Sequence, residues 1–511
     1  MNTKTTEPCS ELDSPAPTDI SRKSFLALVW NYCGTATSML SQFVIGIVLA
    51  RLLDPEAFGI FAIGLLVVSI GNLIVDFGLS VALIQGKNIT ERDVSFVFTM
   101  HIIFGAIITI AAYVSAVSIA LFFRHPNAAS IIQAMSLLFF IQAFGQSAGA
   151  LLRRSMNFKA YQTINIVSYV TGYVLVGIPF ALNGLGAWSL VTAQLTQAIL
   201  FSLMAVLYSG LAMRPTFKPT NKDLFSFGGK VICINLSNWG LSNLDSLLVG
   251  RFLGVNDLGI YNRAMVLIAT PINTVTGALQ GVLLSACSRV GTDINQIRKA
   301  YLGACSVVGL ICLPLCFTVA GLSGTIITVI YGDKWAAAIP VFQPLALTFA
   351  INALLAITGP ILTAQNRLTI ELRAEAIALL LMFPLIFLMA QKSVVAVAWS
   401  VLFVSLVRWG LLLFALSKSL DTKFQELLKP MGWPLAFALV IAGLSMTTDW
   451  LLRDLYPLIR LVGDVATAAL CMIVLLLIFG KKIMKGPHGN YLMAHISLPV
   501  SFQRWLGLVH E

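Results

Sequence analysis

Ala50 Arg51 Leu52 Leu53 Asp54 Pro55 Glu56 Ala57 Phe58 Gly59 Ile60 Phe61 Ala62 decides how this chain is read, because it recurs two hundred residues later. The second copy is Gly250 Arg251 Phe252 Leu253 Gly254 Val255 Asn256 Asp257 Leu258 Gly259 Ile260 Tyr261 Asn262. Without a gap, Arg51 falls on Arg251, Leu53 on Leu253, Gly59 on Gly259, Ile60 on Ile260 and Phe61 on Tyr261. Each copy follows an apolar run of about 25 residues, long enough to cross a bilayer, and each precedes another. A module of that size present twice points to two related halves with a path between them, a common plan among membrane transporters.

The surroundings of the motif agree. Of 511 residues, 58% are hydrophobic and 11% charged, and the mean hydropathy is +0.88. A water-soluble surface cannot be built from that composition. Apolar segments recur from about residue 25 to about residue 480 with short polar punctuation, so the expected fold is all-α and polytopic, with about 14 transmembrane helices. The expected layout is a disordered tail over 1–24, an N-lobe over 25–210, a linker over 211–229, a C-lobe over 230–416, helices 13 and 14 over 417–480 and a tail over 481–511. Spans 1, 2, 7 and 8 fall near 25–50, 58–83, 230–250 and 260–284. Asp54 followed by Pro55 reads as a helix cap and a first-turn proline for span 2, and Asn256 and Asp257 as the corresponding start of span 8.

A formal charge of +11 invites a nucleic-acid reading, but the distribution of the charge excludes it. Lys and Arg concentrate about three to one on alternate connecting segments, which is the positive-inside pattern and places both termini in the cytoplasm. Arg153, Arg154 and Lys159 lie on one such inner loop and Lys481, Lys482 and Lys485 on the inner tail. None of the eight cysteines pairs with another in an outer loop, so no disulfide framework is expected.

Polar residues within the spans share faces at helical spacing. Span 1 carries Asn31, Thr35, Ser38 and Gln42; span 2 carries Ser69, Asn72, Asp76 and Ser80; span 7 carries Asn235, Asn238, Ser242 and Asp245; span 8 carries Asn273, Thr276 and Gln280, with Pro271 as a kink. Lipid cannot hydrogen-bond these groups, so they face either a wet cavity or neighbouring helices. Interhelical bonding is the plainer account, at about 0.6 kcal/mol per contact. The cavity account is favoured by the placement of the faces on the first two spans of each half. Asp76 and Asp245 are the carboxylates that need a reason to be there, and they are the candidates for ion coupling.

Arg51 and Arg251, at equivalent span ends, are candidates to fork onto phosphate or acidic sugar at a cavity mouth, or else to anchor the interface beside Asp54 or Asp257. Arg263 belongs with them, and Arg408 sits two turns inside span 12. His101 and His125 read as structural. No nucleophile, base and orienting group occur together, and neither a phosphate-cradling glycine loop nor a metal cluster is present in the sequence, so no catalytic residue, metal or cofactor is expected.

Taken in order, several segments resemble the Wzx-type oligosaccharide flippases of the polysaccharide transport family, within the multidrug, oligosaccharidyl-lipid and polysaccharide exporter superfamily. They are Ala50 to Gly59; Asp76 Phe77 Gly78 Leu79 Ser80; Leu152 Arg153 Arg154 Ser155 Met156 Asn157 Phe158 Lys159; Gly184 Leu185 Gly186 Ala187 Trp188; Leu258 to Ala264; and Tyr331 Gly332 Asp333 Lys334 Trp335. The chain is most similar to the colanic-acid and exopolysaccharide exporters. Such proteins often close span 8 with a proline where this chain has Ser285.

The resemblance implies two six-helix lobes plus two C-terminal helices, a central cavity lined by spans 1, 2, 7 and 8, and a polyprenyl-diphosphate-linked oligosaccharide as cargo. It implies flipping across the bacterial inner membrane for exopolysaccharide or lipopolysaccharide biosynthesis. Membrane lipid, a polysaccharide polymerase and export machinery are the implied partners, and nucleic acid is not. Arg51, Arg251, Arg263, Asn31, Gln42, Asn72, Asn235, Asn238 and Asn273 become the substrate-cavity candidates. Three other functions were weighed: a drug or cation antiporter of the same superfamily, a membrane glycan polymerase, against which the short outer loops count, and a scaffold for an export complex.

Overall fold

A computed structural model describes residues 17–86, 89–210, 214–217, 223–290, 294–365 and 368–484. They form helices, with no strand among the described residues. The first half comprises α1 (Pro17–Leu52), α2 (Pro55–Asp76), α3 (Leu79–Gln85), α4 (Glu91–Phe122), α5 (Ala128–Arg154), α6 (Phe158–Val170), α7 (Ile178–Leu182) and α8 (Ala187–Ser209). The second comprises α9 (Asp223–Phe252), α10 (Val255–Val290), α11 (Ile294–Gly321), α12 (Ser323–Ile330), α13 (Ile339–Ala356), α14 (Thr358–Ala364), α15 (Leu368–Met389) and α16 (Val394–Ser419). The short α17 (Phe424–Leu428) leads into α18 (Gly432–Leu451) and α19 (Pro457–Met484). The polar tails and the inter-lobe linker expected from the sequence lie largely outside the described residues, although 17–24 and 223–229 are helical.

Among the described residues, twelve helical segments are long and apolar enough to cross a membrane by length and composition. α9 and α10, the expected spans 7 and 8, are not in that set. Side chains such as Leu380, Leu439, Leu451, Val462, Leu470 and Ile478 stand exposed on α15, α18 and α19. An apolar belt of that extent is stable only against lipid, and the chain is a multi-pass membrane protein.

Packing sorts the helices into two sets. α4, α5 and α8 form the centre of the first, with α1 against α6 and α2 against α5. α11, α13 and α16 form the centre of the second, with α15 on α16 and α10 on α13. α18 lies against α11, and α19 against α18 and α12. The sets meet chiefly where α2 packs on α10, with smaller contacts from α9 to α2 and α3.

Several expected spans are interrupted. Span 2 breaks at Phe77 and Gly78, both in the left-handed region at φ 44° and 72°, and the Asp76 carboxylate accepts from the Ser80 amide (3.3 Å) to start α3. The apolar segment that follows α5 contains a π-helical stretch, Thr171–Gly177, between α6 and α7. α10 runs through Pro271 without a break. Asp54 has the extended backbone of a cap but makes no capping bond; its carboxylate meets Lys334 at 3.3 Å instead. Asn256 and Asp257 lie inside the first turn of α10, not ahead of it. The connection after Tyr331 is compact: a 3-10 turn, Asp333–Ala338, buries Trp335, whose indole N–H donates to the Ala50 carbonyl at 2.8 Å.

Candidate functional site

The two copies of the repeated motif touch each other. Gly59 of α2 lies against the Val255 carbonyl and Gly259 of α10 against the Pro55 carbonyl, so each glycine faces the first helical residue of the other copy. A Cβ on Gly59 would fall 3.1 Å from the Gly259 nitrogen, and one on Gly259 2.9 Å from the Gly59 nitrogen, with the two carbonyl oxygens closer still. Only glycine permits backbones to approach this closely.

The repeated arginines are exchanged in the same reciprocal way. Arg51, at the end of α1, donates to the carbonyls of Ile330 (2.9 Å) and Val329 at the C-terminus of α12 in the other set. Arg251, at the end of α9, donates to the Phe122 carbonyl (2.5 Å) at the C-terminus of α4 and lies over the Phe122 ring at 5.0 Å. A guanidinium at a helix C-terminus satisfies orphan carbonyls and complements the negative end of the dipole. Neither arginine lines a cavity described below. The same end of the bundle is closed further by Lys334 on Asp54, by Trp335 on Ala50, and by the edge contact of Phe58 with Trp335 at 5.6 Å between centroids.

Three cavities among the described residues bear on the site, and one of them borders this seal at Phe58. The largest, about 810 Å³, is within the second set, between α9, α10 and α13 to α16. Asn238, Asp245, Asn273 and Gln280 line it, as do Asn352, Glu371, Glu375 and Arg408. Arg408 Nη2 sits 3.0 Å from Glu375 Oε1, and Asp245, 2% exposed, accepts from the Tyr261 hydroxyl (2.6 Å) and the Ser246 amide (2.7 Å).

The second cavity, about 300 Å³, opens between the sets and is walled by Gln42, Phe58, Tyr169, Tyr173, Gln194, Gln197, Arg263 and Tyr331. The Arg263 guanidinium stacks 3.9 Å over the Phe58 ring, its backbone carbonyl accepts from the Tyr331 hydroxyl at 3.4 Å, and its Nε has no partner. Tyr169 and Tyr173 stack at 4.5 Å, a pairing presented where α6 passes into the π-helical stretch. The third, about 230 Å³, lies inside the first set and shares Gln194 and Gln197 with the second; Gln142, Gln146 and Asn165 are its other amides.

Of the residues singled out from sequence, Gln42 and Arg263 line the cavity between the sets, and Asn238, Asn273 and Asp245 the large chamber. Asn31 and Asn72 are tied inside the first set: Gln162 donates to Asn31 (3.0 Å), and Asn72 donates to Gln142 (2.9 Å). Asn235 is half-buried on α9 and lines none of the three. Asp76 is 3.5 Å from Nε2 of His101, whose Nδ1 meets the Ser147 hydroxyl at 2.8 Å, so His101 sits fully buried in a polar row across α2, α4 and α5. The single hollow expected between spans 1, 2, 7 and 8 is thus divided. The face of α2 is occupied by Trp239, Gln142 and His101, while those of α9 and α10 turn into their own set.

Sequence reasoning missed Glu371, Glu375, Asn352 and the tyrosine and glutamine walls. Spacing offered a signal for some: Glu371 and Glu375, Gln142 and Gln146, and Gln194 and Gln197 are each three or four apart on one helix face.

Comparisons with known proteins agree with this architecture. The chain is 28% identical to the teichuronic acid biosynthesis protein TuaB of Bacillus subtilis, over 79% of this chain and 85% of that one. It is 29% identical to the succinoglycan biosynthesis transport protein ExoT of Rhizobium meliloti, over 63% and 65%. Its fold matches the inward closed conformation of the lipid II flippase MurJ with a TM-score of 0.69 at 14% identity, covering 92% of this chain and 100% of that one. Residues 48–340, which begin at the first copy of the motif and run past the second to the turn that buries Trp335, match the polysaccharide biosynthesis protein family, and to that family the chain belongs.

Proposed function

We propose that this chain is a transporter, and not an enzyme, that flips polyprenyl-diphosphate-linked oligosaccharide repeat units across the bacterial inner membrane for exopolysaccharide or lipopolysaccharide biosynthesis. The observation that carries the proposal is a set of amide- and tyrosine-lined cavities inside an apolar bundle, closed at one end by contact between the two copies of one motif. Amides and tyrosines suit sugar hydroxyls, and 810 Å³ falls in the range of cavities that enclose small ligands. The names of TuaB and ExoT, and the fold of MurJ, support the same reading.

By the charge pattern the sealed end faces outward and both termini lie in the cytoplasm. The lobes over 25–210 and 230–416 then rock about the contact of α2 with α10. Gln42 and Arg263 meet the head group between them, Asn238 and Asn273 meet sugar in the large chamber, and Arg51 and Arg251 latch the closed outer end. Asp245 is the coupling carboxylate of the large chamber, Asp76 that of the first lobe, and a polymerase and export machinery receive the product. In proteoliposomes holding the purified protein and a fluorescent diphosphate-linked oligosaccharide, translocation above protein-free vesicles is expected; its absence overturns the proposal. The carboxylates Asp245, Glu371 and Glu375 favour a second reading, a cation or drug antiporter, which efflux of cationic dyes from the same vesicles would reveal.

A further inference from the structure

The charges of the cavity walls bear on the cargo. The large chamber is faced by three carboxylates and one guanidinium, and that guanidinium is matched by Glu375 at 3.0 Å. Its remaining polar wall is made of the amides of Asn238, Asn273, Gln280 and Asn352 and the hydroxyl residues Ser242, Thr348 and Ser405. The chamber inside the first set is lined by Gln142, Gln146, Asn165, Gln194, Gln197 and Tyr161, with no ionisable group but the phenol among its described residues. Across the three cavities, Arg263 is the one cation among the described lining residues that is not ion-paired, and it stands where the two sets meet.

We infer that the sugars this chain carries are uncharged, and that the diphosphate is the only anionic part of its cargo. The inference rests on the flippase reading and narrows it. Amides donate and accept at once, as sugar hydroxyls do, and a carboxylate accepts from a hydroxyl without needing a counter-charge. A hexuronate in the large chamber would instead lose its water in a chamber that carries carboxylates, with no unpaired cation among the described lining residues to replace it, which is how a site rejects a ligand. A diphosphate needs a guanidinium, and Arg263 is placed to supply one, its Nε unpartnered and its plane fixed on Phe58.

Two cargoes of equal size separate the possibilities in proteoliposomes: a polyprenyl diphosphate bearing a neutral trisaccharide, and the same lipid with one hexose oxidised to hexuronate. Translocation of the neutral lipid at least tenfold faster is expected. Equal or faster movement of the hexuronate lipid overturns the inference and leaves the flippase reading standing, whereas movement of neither overturns both. Glu371→Gln should raise the hexuronate rate relative to the neutral rate several-fold, and an unchanged ratio would count against the chamber as the source of selection.

Discussion

Placing a methyl group on the glycine contact at the sealed end tests the closed state directly. In Gly59→Ala the new Cβ meets backbone on every side, the Val255 carbonyl group and the Gly259 nitrogen, and no side-chain rotation relieves it. Ordinary separation between non-bonded heavy atoms is about 3.5 Å, so α2 and α10 must part by roughly 1 Å or more at this point. Overpacking of this kind costs on the order of 1–3 kcal/mol. Charged only against the sealed arrangement, that shifts the balance toward states open at this end by roughly 5- to 150-fold. Gly259→Ala acts on the symmetric contact and should do the same, whereas Gly443→Ala on α18, where a Cβ meets nothing within 4 Å, is the control. Spin labels on cysteines replacing the exposed Glu56 and Asn256, in a protein otherwise free of cysteine, report the separation by pulsed electron resonance. The distances should lengthen in both glycine variants and not in the control. A well-folded Gly59→Ala protein with the parent's distance distribution would refute the seal.

Replacing Arg51 and Arg251 together with Ala removes both helix-end bonds, each of about 0.3–1 kcal/mol. Translocation should fall while insertion is preserved, and unchanged transport would remove their latch role. Arg408→Leu leaves Glu375 buried without its partner, a loss of about 3–5 kcal/mol that should lower the unfolding temperature in detergent, with partial recovery in Arg408→Leu/Glu375→Gln. Failure of the second change to recover any stability would mean that the pair contributes nothing. Arg460 binds Asp449 through both carboxylate oxygens at 2.7 Å and reaches Thr325 of α12 at 3.1 Å, tying α18 and α19 to the helix whose end Arg51 caps. Arg460→Ala should therefore loosen the seal, lengthening the same spin-label distances; a distance change confined to α19 would disconnect the two.

An all-α polytopic chain is legible in the sequence, because twenty-residue apolar runs have no other stable use, and the sequence marks the repeated motif, because the copies align without a gap. It also grouped polar side chains on single faces of α1, α2, α9 and α10, since helical spacing is a local property. It did not determine what those faces meet. Asn72 turning to Gln142, Asp76 to His101, and Arg51 to carbonyls nearly three hundred residues away are consequences of how the helices cross. The division of the expected hollow into separate cavities, and the pairing of Arg408 with Glu375 on the wall of the large chamber, follow from the tertiary packing. The physical reason is that periodicity fixes the direction of a side chain about its own axis, while its partner depends on the rotation and tilt of a second helix, which no local pattern encodes.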